Sequence, residues 1–203
     1  MNQLKAGAAL VFAALMTGGC SCFKSAGAFD ASKAAASETR MWKAYYGGDG
    51  EALARELQQL VADQFRLSRD QAMQVAGPMA KSAVKFLNTR EDYEAAVLPD
   101  LRAGYERLKA LRGLPSDPEK AAAAELDWWV ARRTPGQDSP EEVGRRITKL
   151  YAVIYGAEKP GFDKAGLLRA KAAHVRDRGG SGCDWGEVEK LLRESYDALS
   201  RAL

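Results

Sequence analysis

The chain has 203 residues, of which 46% are hydrophobic and 28% are charged, and its formal net charge is +3. This length can bury a sizeable core in one medium-sized domain. The balance of apolar and charged residues argues against a disordered chain and against a protein with many membrane spans. A surplus of three positive charges is too small to indicate nucleic-acid binding. Alanine and leucine are abundant and β-branched residues are scarce, which favours helices.

Residues 1–30 have the layout of an export signal. Lys5 precedes a mostly apolar stretch, residues 6–16, and small residues then lead to Cys20. This order is typical of a secretory signal, and small residues directly before a cysteine are typical of lipoproteins, in which that cysteine carries the lipid. We therefore predict an exported protein of the cell envelope that contacts the membrane through this anchor segment, with Cys20 as the lipidated residue.

Three other interpretations of the segment stay open at this point. The A-x-A pattern at residues 26–28 is a second possible cleavage site. Residues 6–23 carry no charge and just reach the length of a bilayer span, so they could form an uncleaved anchor. The segment could also be a buried N-terminal helix of a cytoplasmic protein.

From about residue 31 onward, the sequence predicts helices separated by short breakers. Asp49, Asp117 and Asp184 stand where N-caps are expected, and Ser139 begins a capping box with proline at the first helical position. The predicted helices span about 31–46, 50–65, 68–88, 91–112, 119–133, 140–155, 163–178 and 185–203.

Two prolines fall inside these helices. We expect Gly77-Pro78 to bend or break the third predicted helix and Pro99 to interrupt the fourth. No window alternates between apolar and polar residues with a period of two, so no strand is expected. The predicted fold class is all-α, with residues 31–203 forming a single bundle of about seven helices.

The sequence carries no catalytic signature. It has one histidine, His174, and no Glu-x-x-His motif, which argues against zinc, haem and di-iron sites. It also lacks a glycine-rich phosphate loop and a Gly-x-Ser-x-Gly nucleophile elbow. We therefore expect no metal and no cofactor, and we expect His174 to lie at the edge of the core.

Two tryptophans of the fifth predicted helix fall on different faces. Trp129 lies on an apolar stripe, which we expect to be the core face. Glu125, Trp128 and Arg132 share another stripe, where a carboxylate, an indole and a guanidinium could line a polar pocket. The alternative is an ion pair beneath a second packing surface, because a middle helix of a bundle contacts neighbours on two sides.

A set of charged and aromatic side chains is the strongest candidate site. If the helices bring the set together, its carboxylates could do acid–base work, its guanidinium could hold an anionic group and its rings could form the walls. The set consists of Glu38, Trp42, Tyr45, Glu125, Trp128, Arg132 and Glu142.

Arginine pairs offer another place for an anionic group, because a guanidinium makes bidentate contacts with carboxylates and phosphates. A salt-bridged surface is the alternative, since Glu141 and Glu142 stand four residues before one of the pairs. The arginines concerned are Arg132, Arg133, Arg145 and Arg146, with Arg169, Arg176 and Arg178 as additions.

Cysteine pairing depends on the fate of Cys20. If Cys20 is lipidated, Cys22 and Cys183 remain and could form one disulfide in an oxidising compartment. Free or otherwise capped thiols are the alternative.

Several motifs of aromatic and charged residues lie between about residues 38 and 203. They include Met41-Trp42-x-Ala44-Tyr45-Tyr46, Glu125-Leu126-x-Trp128-Trp129-x-x-Arg132-Arg133, Leu150-Tyr151-Ala152-x-x-Tyr155-Gly156, Leu168-Arg169-Ala170-x-Ala172-Ala173-x-x-Arg176-Asp177, Asp184-Trp185 and Ser195-Tyr196. In these motifs the chain resembles an uncharacterised bacterial all-α family. The resemblance implies a helical domain and no assigned chemistry.

The sequence supports two hypotheses about function. The first is a non-enzymatic helical binding or interaction domain held at the cell envelope, and it rests on residues 1–30 and on the lack of a catalytic motif. The second is a helical enzyme or small-ligand receptor that uses the Glu/Trp/Arg set. The expected partner is a protein of unknown identity or a small anionic ligand.

Overall fold

The computed structural model of the protein describes residues 29–203. Within this range it contains eight α-helices and no strand, with one helix for each predicted range, so the all-α prediction is confirmed. A short 3-10 turn, Gly180–Gly182, precedes the last helix. The helices are α1 (Ala31–Gly47), α2 (Gly50–Phe65), α3 (Arg69–Asn88), α4 (Tyr93–Arg112), α5 (Pro118–Ala131), α6 (Pro140–Tyr155), α7 (Phe162–Gly179) and α8 (Trp185–Ala202).

Polar side chains begin most of the helices. Asp49, Asp117 and Asp184 each accept hydrogen bonds from backbone N–H groups of the first turn. Ser139 accepts from the backbone N–H of Glu142 at 3.2 Å. The reciprocal bond of a capping box is not formed there, because the Glu142 carboxylate pairs with arginines of its own helix. The helix starts therefore follow from local sequence, as predicted.

Neither internal proline ends its helix. The helix α3 continues through Pro78 and α4 continues through Pro99, which corrects the expected break and interruption. A proline removes one backbone donor from a helix. However, α3 and α4 pack along each other and bury apolar side chains beside both prolines, among them Val75, Val97 and Leu101. This packing outweighs the loss of single backbone hydrogen bonds.

The helices form a closed ring. Each helix packs on the next one along the chain, and α8 packs back on α1. The rings of Phe29, just before α1, and Tyr196 of α8 meet edge to face, with centroids 5.7 Å apart, and support this closure. A ring of eight helices leaves a central space that backbone packing does not fill, so side chains from all around the ring meet there.

The α6 and α7 helices approach each other very closely. A Cβ atom on Gly166 would lie 2.6 Å from the carbonyl oxygen of Gly144, and a Cβ atom on Gly144 would lie 2.9 Å from the Cα atom of Leu167. Neither position has room for a methyl group, so the two glycines permit this contact. On the other side of α7, Ser195 of α8 donates a 2.7 Å hydrogen bond to the carbonyl of Ala165. The α7 helix is thus held tightly between its two neighbours.

Some of the sequence predictions fall beyond this part of the chain. The export-signal segment, with Cys20 and Cys22, lies outside the described residues except at its last positions. Cys183 is free within the described range, so the structure does not bear on its pairing with Cys22. No helix within residues 29–203 combines the length and the hydropathy needed to cross a bilayer.

Candidate functional site

A cavity of about 260 Å³ lies inside the ring, and all eight helices contribute side chains to its wall. The lining is uneven. The α2, α3 and α4 helices supply mostly apolar side chains, such as Leu57, Val75 and Leu101, whereas α5 and α7 supply charged ones. The cavity is therefore an apolar chamber with one polar side, which is the usual character of a small-molecule site.

A buried ion pair crosses the interior between α1 and α7. Arg169 donates from Nε and Nη2 to Oε1 of Glu38, at 3.0 and 2.5 Å, and Tyr196 donates its hydroxyl to Oε2 at 2.6 Å. Burial acts to lower the pKa of Arg169, but the Glu38 carboxylate holds that pKa well above its usual value. Arg169 and Tyr196 line the cavity, and Glu38, which has no exposed surface, fixes Arg169 from behind.

A second charged group is centred on Arg132. Its guanidinium donates to both carboxylate oxygens of Asp177, at 3.0 and 2.8 Å, and to the hydroxyl of Tyr46 at 2.7 Å. Its Cζ atom also lies 5.5 Å from the ring centroid of Trp128 and 5.6 Å from that of Trp42. These contacts hold Arg132 in the cavity wall with its charge committed to Asp177.

Glu125 is a cavity carboxyl group that, unlike Asp177, forms no ion pair within the described residues. Its Oε1 accepts from Nε1 of Trp129 at 2.9 Å, and its Oε2 accepts from the hydroxyl of Tyr105 at 2.8 Å. Burial raises the pKa of Glu125, and the opposing effect of Arg169 does not cancel that rise. Glu125 therefore takes up a proton more readily than an exposed glutamate does.

Two hydrogen-bond donors at the polar side of the cavity have no acceptor among residues 29–203. Nε1 of Trp128 and the hydroxyl of Tyr151 are buried without a hydrogen-bond partner, and both residues are only 3% exposed. The guanidinium of Arg169, held to Glu38 through Nε and Nη2, lies beside both of them.

Arg169 lies close to both donors. Its Cζ atom lies 5.3 Å from the ring centroid of Trp128. Burial raises the pKa of Tyr151, and Arg169 is near enough to oppose that rise, although no hydrogen bond of good geometry joins the two. A buried donor without an acceptor costs about 1–3 kcal/mol. The two donors therefore indicate an acceptor that the described part of the chain does not supply.

The cavity meets the surface beside Tyr45 and Tyr46. Among its lining residues, Arg133 and Asp177 are exposed. Arg133 donates to the hydroxyl of Tyr45 at 3.3 Å, and the hydroxyl of Tyr46 donates to Asp177 at 3.2 Å. These two hydrogen-bonded pairs frame the outer end of the cavity.

The structure brings most of the predicted set to this one cavity. Glu38 contacts the site through Arg169 rather than by lining the cavity. Glu142 is elsewhere, which corrects its place in the set: it lies in the first turn of α6 and pairs with Arg145 and Arg146. The residues of the set that line the cavity are Trp42, Tyr45, Glu125, Trp128 and Arg132.

The two tryptophans of α5 reverse their expected positions. Trp128 is buried, whereas Trp129 is half-buried and packs against Phe86 with ring centroids 5.2 Å apart. The expectation that Trp129 is the core residue is therefore corrected. The face of α5 that points inward is the one directed at the centre of the closed ring. The apolar stripe of a single helix does not predict where that centre lies.

Several residues of the site are not predicted by any sequence pattern on their own. Arg169 is marked as an addition to an arginine cluster and within a resemblance motif, and Tyr105 lies on a helix that carries no motif. Tyr151, Asp177 and Tyr196 stand in the motifs that carry the family resemblance, which is the signal that could have found them.

No group of three or more His, Cys, Asp or Glu side chains within the described range is placed to hold a metal ion. A comparison of the chain with protein-family models, curated proteins and solved structures finds no significant match. The resemblance to an uncharacterised bacterial family therefore stays a prediction from motifs, and the function is argued from the site itself.

Proposed function

We propose that the chain is a binding domain for a small organic molecule, which it holds inside the ring of helices. The observation that carries this proposal is the unpaired N–H group of Trp128 on the cavity wall. An indole N–H can only donate, so it is satisfied only by an acceptor. A bound molecule with an oxygen atom at this point would accept from Trp128 and from Tyr151 beside it.

The outer surface supports a small molecule over a protein partner. Within residues 29–203, the exposed large hydrophobic side chains are Met73 and Val84, both on α3. Protein-docking surfaces usually present a contiguous apolar patch of a few hundred Å² or more. Two side chains 11 residues apart do not form such a patch, whereas the interior offers a lined cavity.

We further propose that residues 1–30 hold this domain at the cell envelope. The sequence pattern of Lys5, an apolar stretch and small residues before Cys20 supports this location. Metabolic labelling with radioactive palmitate, followed by membrane fractionation, tests it. We expect labelled, membrane-bound protein and loss of the label in Cys20→Ala. Labelling that persists in Cys20→Ala would contradict lipidation at that cysteine, and intact Met1 on soluble protein would contradict export.

Native mass spectrometry of the purified full chain tests the binding function. We expect a fraction of the protein to carry an added small-molecule mass that is released on unfolding. The variant Ala83→Phe places a ring in the cavity wall and should abolish this added mass. The matched control, Ala95→Phe, changes an exposed alanine of α4 and should keep it. Added mass that is equally abundant in both variants would contradict binding inside the ring.

Glu125 favours a second candidate function, general acid–base catalysis on the bound molecule. Its carboxyl group lines the cavity, and burial raises its pKa, as is common for catalytic acids. The test compares the molecule recovered from the wild-type chain with the molecule recovered from Glu125→Gln. Catalysis predicts that the variant accumulates a different, unconverted compound. The same compound from both proteins would contradict catalysis and leave binding alone.

A further inference from the structure

The polar side of the cavity offers hydrogen-bond donors rather than acceptors. Trp128 and Tyr151 each present an unpaired donor beside the Arg169 guanidinium, whereas both oxygens of Glu125 already accept hydrogen bonds. An alcohol or an amine would add a donor of its own to this side of the cavity. A carboxylate only accepts hydrogen bonds and has two oxygens with about four lone-pair sites, so it can satisfy both donors at once.

The surrounding charges favour a single negative charge on the ligand. Glu38 pairs with Arg169 and Asp177 pairs with Arg132, whereas Arg133 lines the cavity without an ion pair among residues 29–203. Burial raises the pKa of Glu125, which favours its neutral form. With Glu125 neutral, these side chains carry one net positive charge, which a monoanion balances. A phosphate dianion would bring a second charge that the described residues on this side of the cavity do not balance.

The volume and the walls of the cavity limit the rest of the ligand. A cavity of about 150 Å³ holds benzene, so a cavity of about 260 Å³ has room for roughly ten non-hydrogen atoms. The wall formed by α2, α3 and α4 is lined by side chains such as Leu60, Val61 and Val75. An unbranched chain of about eight carbons matches this volume and buries its apolar surface against these residues.

We propose that the ligand is a medium-chain carboxylate whose head group accepts hydrogen bonds from Trp128 and Tyr151 beside the Arg169 guanidinium. Its chain lies between α2, α3 and α4. This inference rests on the binding function proposed above and adds the chemical class of the ligand.

Calorimetric titration of the full chain with three eight-carbon probes tests this class. Octanoate, octanol and octylamine share a chain and differ in the head group. Hydrogen bonds to a charged acceptor are roughly twice as strong as neutral ones, and two donors can act together. We therefore expect octanoate to bind at least about tenfold more tightly than octanol, and octylamine to bind most weakly.

The Tyr151→Phe variant tests the placement of the head group, because it removes one hydroxyl and keeps the ring. Loss of a hydrogen bond to a charged group predicts about ten- to hundredfold weaker binding of octanoate. Tyr155→Phe is the matched control in the same helix. Its hydroxyl is already paired with Gln64 at 3.1 Å, so octanoate affinity should stay nearly unchanged. Trp128→Phe provides a second test of the same head-group position.

The outcomes separate the ligand class from the binding function. Weak or absent binding of all three probes, with no added mass in the native spectrum, would overturn both proposals. Octanol or octylamine binding as tightly as octanoate would overturn the carboxylate class and keep the binding function. Octanoate binding that is unchanged in both Tyr151→Phe and Trp128→Phe would overturn the placement of the head group.

Discussion

Arg169 of α7 donates two hydrogen bonds, from Nε and Nη2, to a single oxygen of Glu38 in α1, across 131 positions of sequence. The two helices are not neighbours in the ring, so this ion pair bridges its interior. Because Glu38 accepts from one edge of the guanidinium, Arg169 is held in place where it lines the cavity. The same contact thus contributes to stability and to the proposed site.

We predict that Glu38→Gln destabilises the protein strongly. The substitution keeps the shape of the side chain but leaves the charge of Arg169 buried without a counter-ion, which costs about 3–5 kcal/mol. Denaturant unfolding at equal slope measures the loss. Adding Arg169→Met removes the uncompensated charge, so the double variant should recover much of the stability. A loss well below about 1 kcal/mol in the single variant would mean that the pair is solvated rather than buried.

The close contact between α6 and α7 gives a prediction about one methyl group. Gly166→Ala should destabilise the protein by about 1–3 kcal/mol, because the new Cβ atom meets backbone that cannot move independently. Gly47→Ala is the control, since its Cβ atom would meet nothing within 4 Å at the end of α1. That change should be neutral or stabilising by up to about 1 kcal/mol. Equal stability of the two variants would argue against the tight packing of α7.

The raised pKa of Glu125 predicts a specific pH dependence of the free energy of unfolding. Its pKa is raised in the folded state by burial, with Arg169, Tyr105 and Trp129 opposing that rise and the charge of Glu38 adding to it. The folded protein therefore binds this proton more tightly than the unfolded chain, whose glutamate pKa is about 4.3. Stability from this group is present at low pH and is lost as pH rises through the folded pKa.

The measurement compares wild type with Glu125→Gln, which cannot ionise. The stability of the variant relative to wild type should increase from about pH 4.3 upward and then level off above the folded pKa. A difference that is constant across this range would contradict a raised pKa at Glu125.

Helices could be predicted from the sequence because their determinants are local. N-caps such as Asp117 and breakers such as Gly156 act within a few residues, and the structure uses them as expected. The site depends on contacts between distant positions. Trp128 faces the centre because α8 packs on α1 and closes the ring. No sequence pattern within α5 predicts that closure. The contact between Arg169 and Glu38 could not be predicted from the sequence for the same reason.

The burial of Trp128 and the half-burial of Trp129 predict which of the two substitutions destabilises the protein more. Trp128→Ala should lower the free energy of unfolding by about 3–5 kcal/mol, the range for a buried tryptophan. The part of the indole ring that borders the cavity makes this loss smaller, because it is less fully packed. Trp129→Ala should cost less, because half-burial leaves less apolar surface to lose and its main contacts are with Phe86 and Glu125. Denaturant unfolding of both variants gives the comparison. A larger loss for Trp129→Ala would contradict the inward orientation of Trp128.

Intermolecular nuclear Overhauser effects between ¹³C-labelled octanoate and the full chain show whether the ring holds a small molecule in its interior. We predict contacts from the carbons next to the carboxylate to the rings of Trp128 and Tyr151, and from the end of the chain to side chains of α2 and α3 such as Leu57. Contacts confined to the exposed side chains Met73 and Val84 would place the ligand on the outside and contradict binding inside the ring.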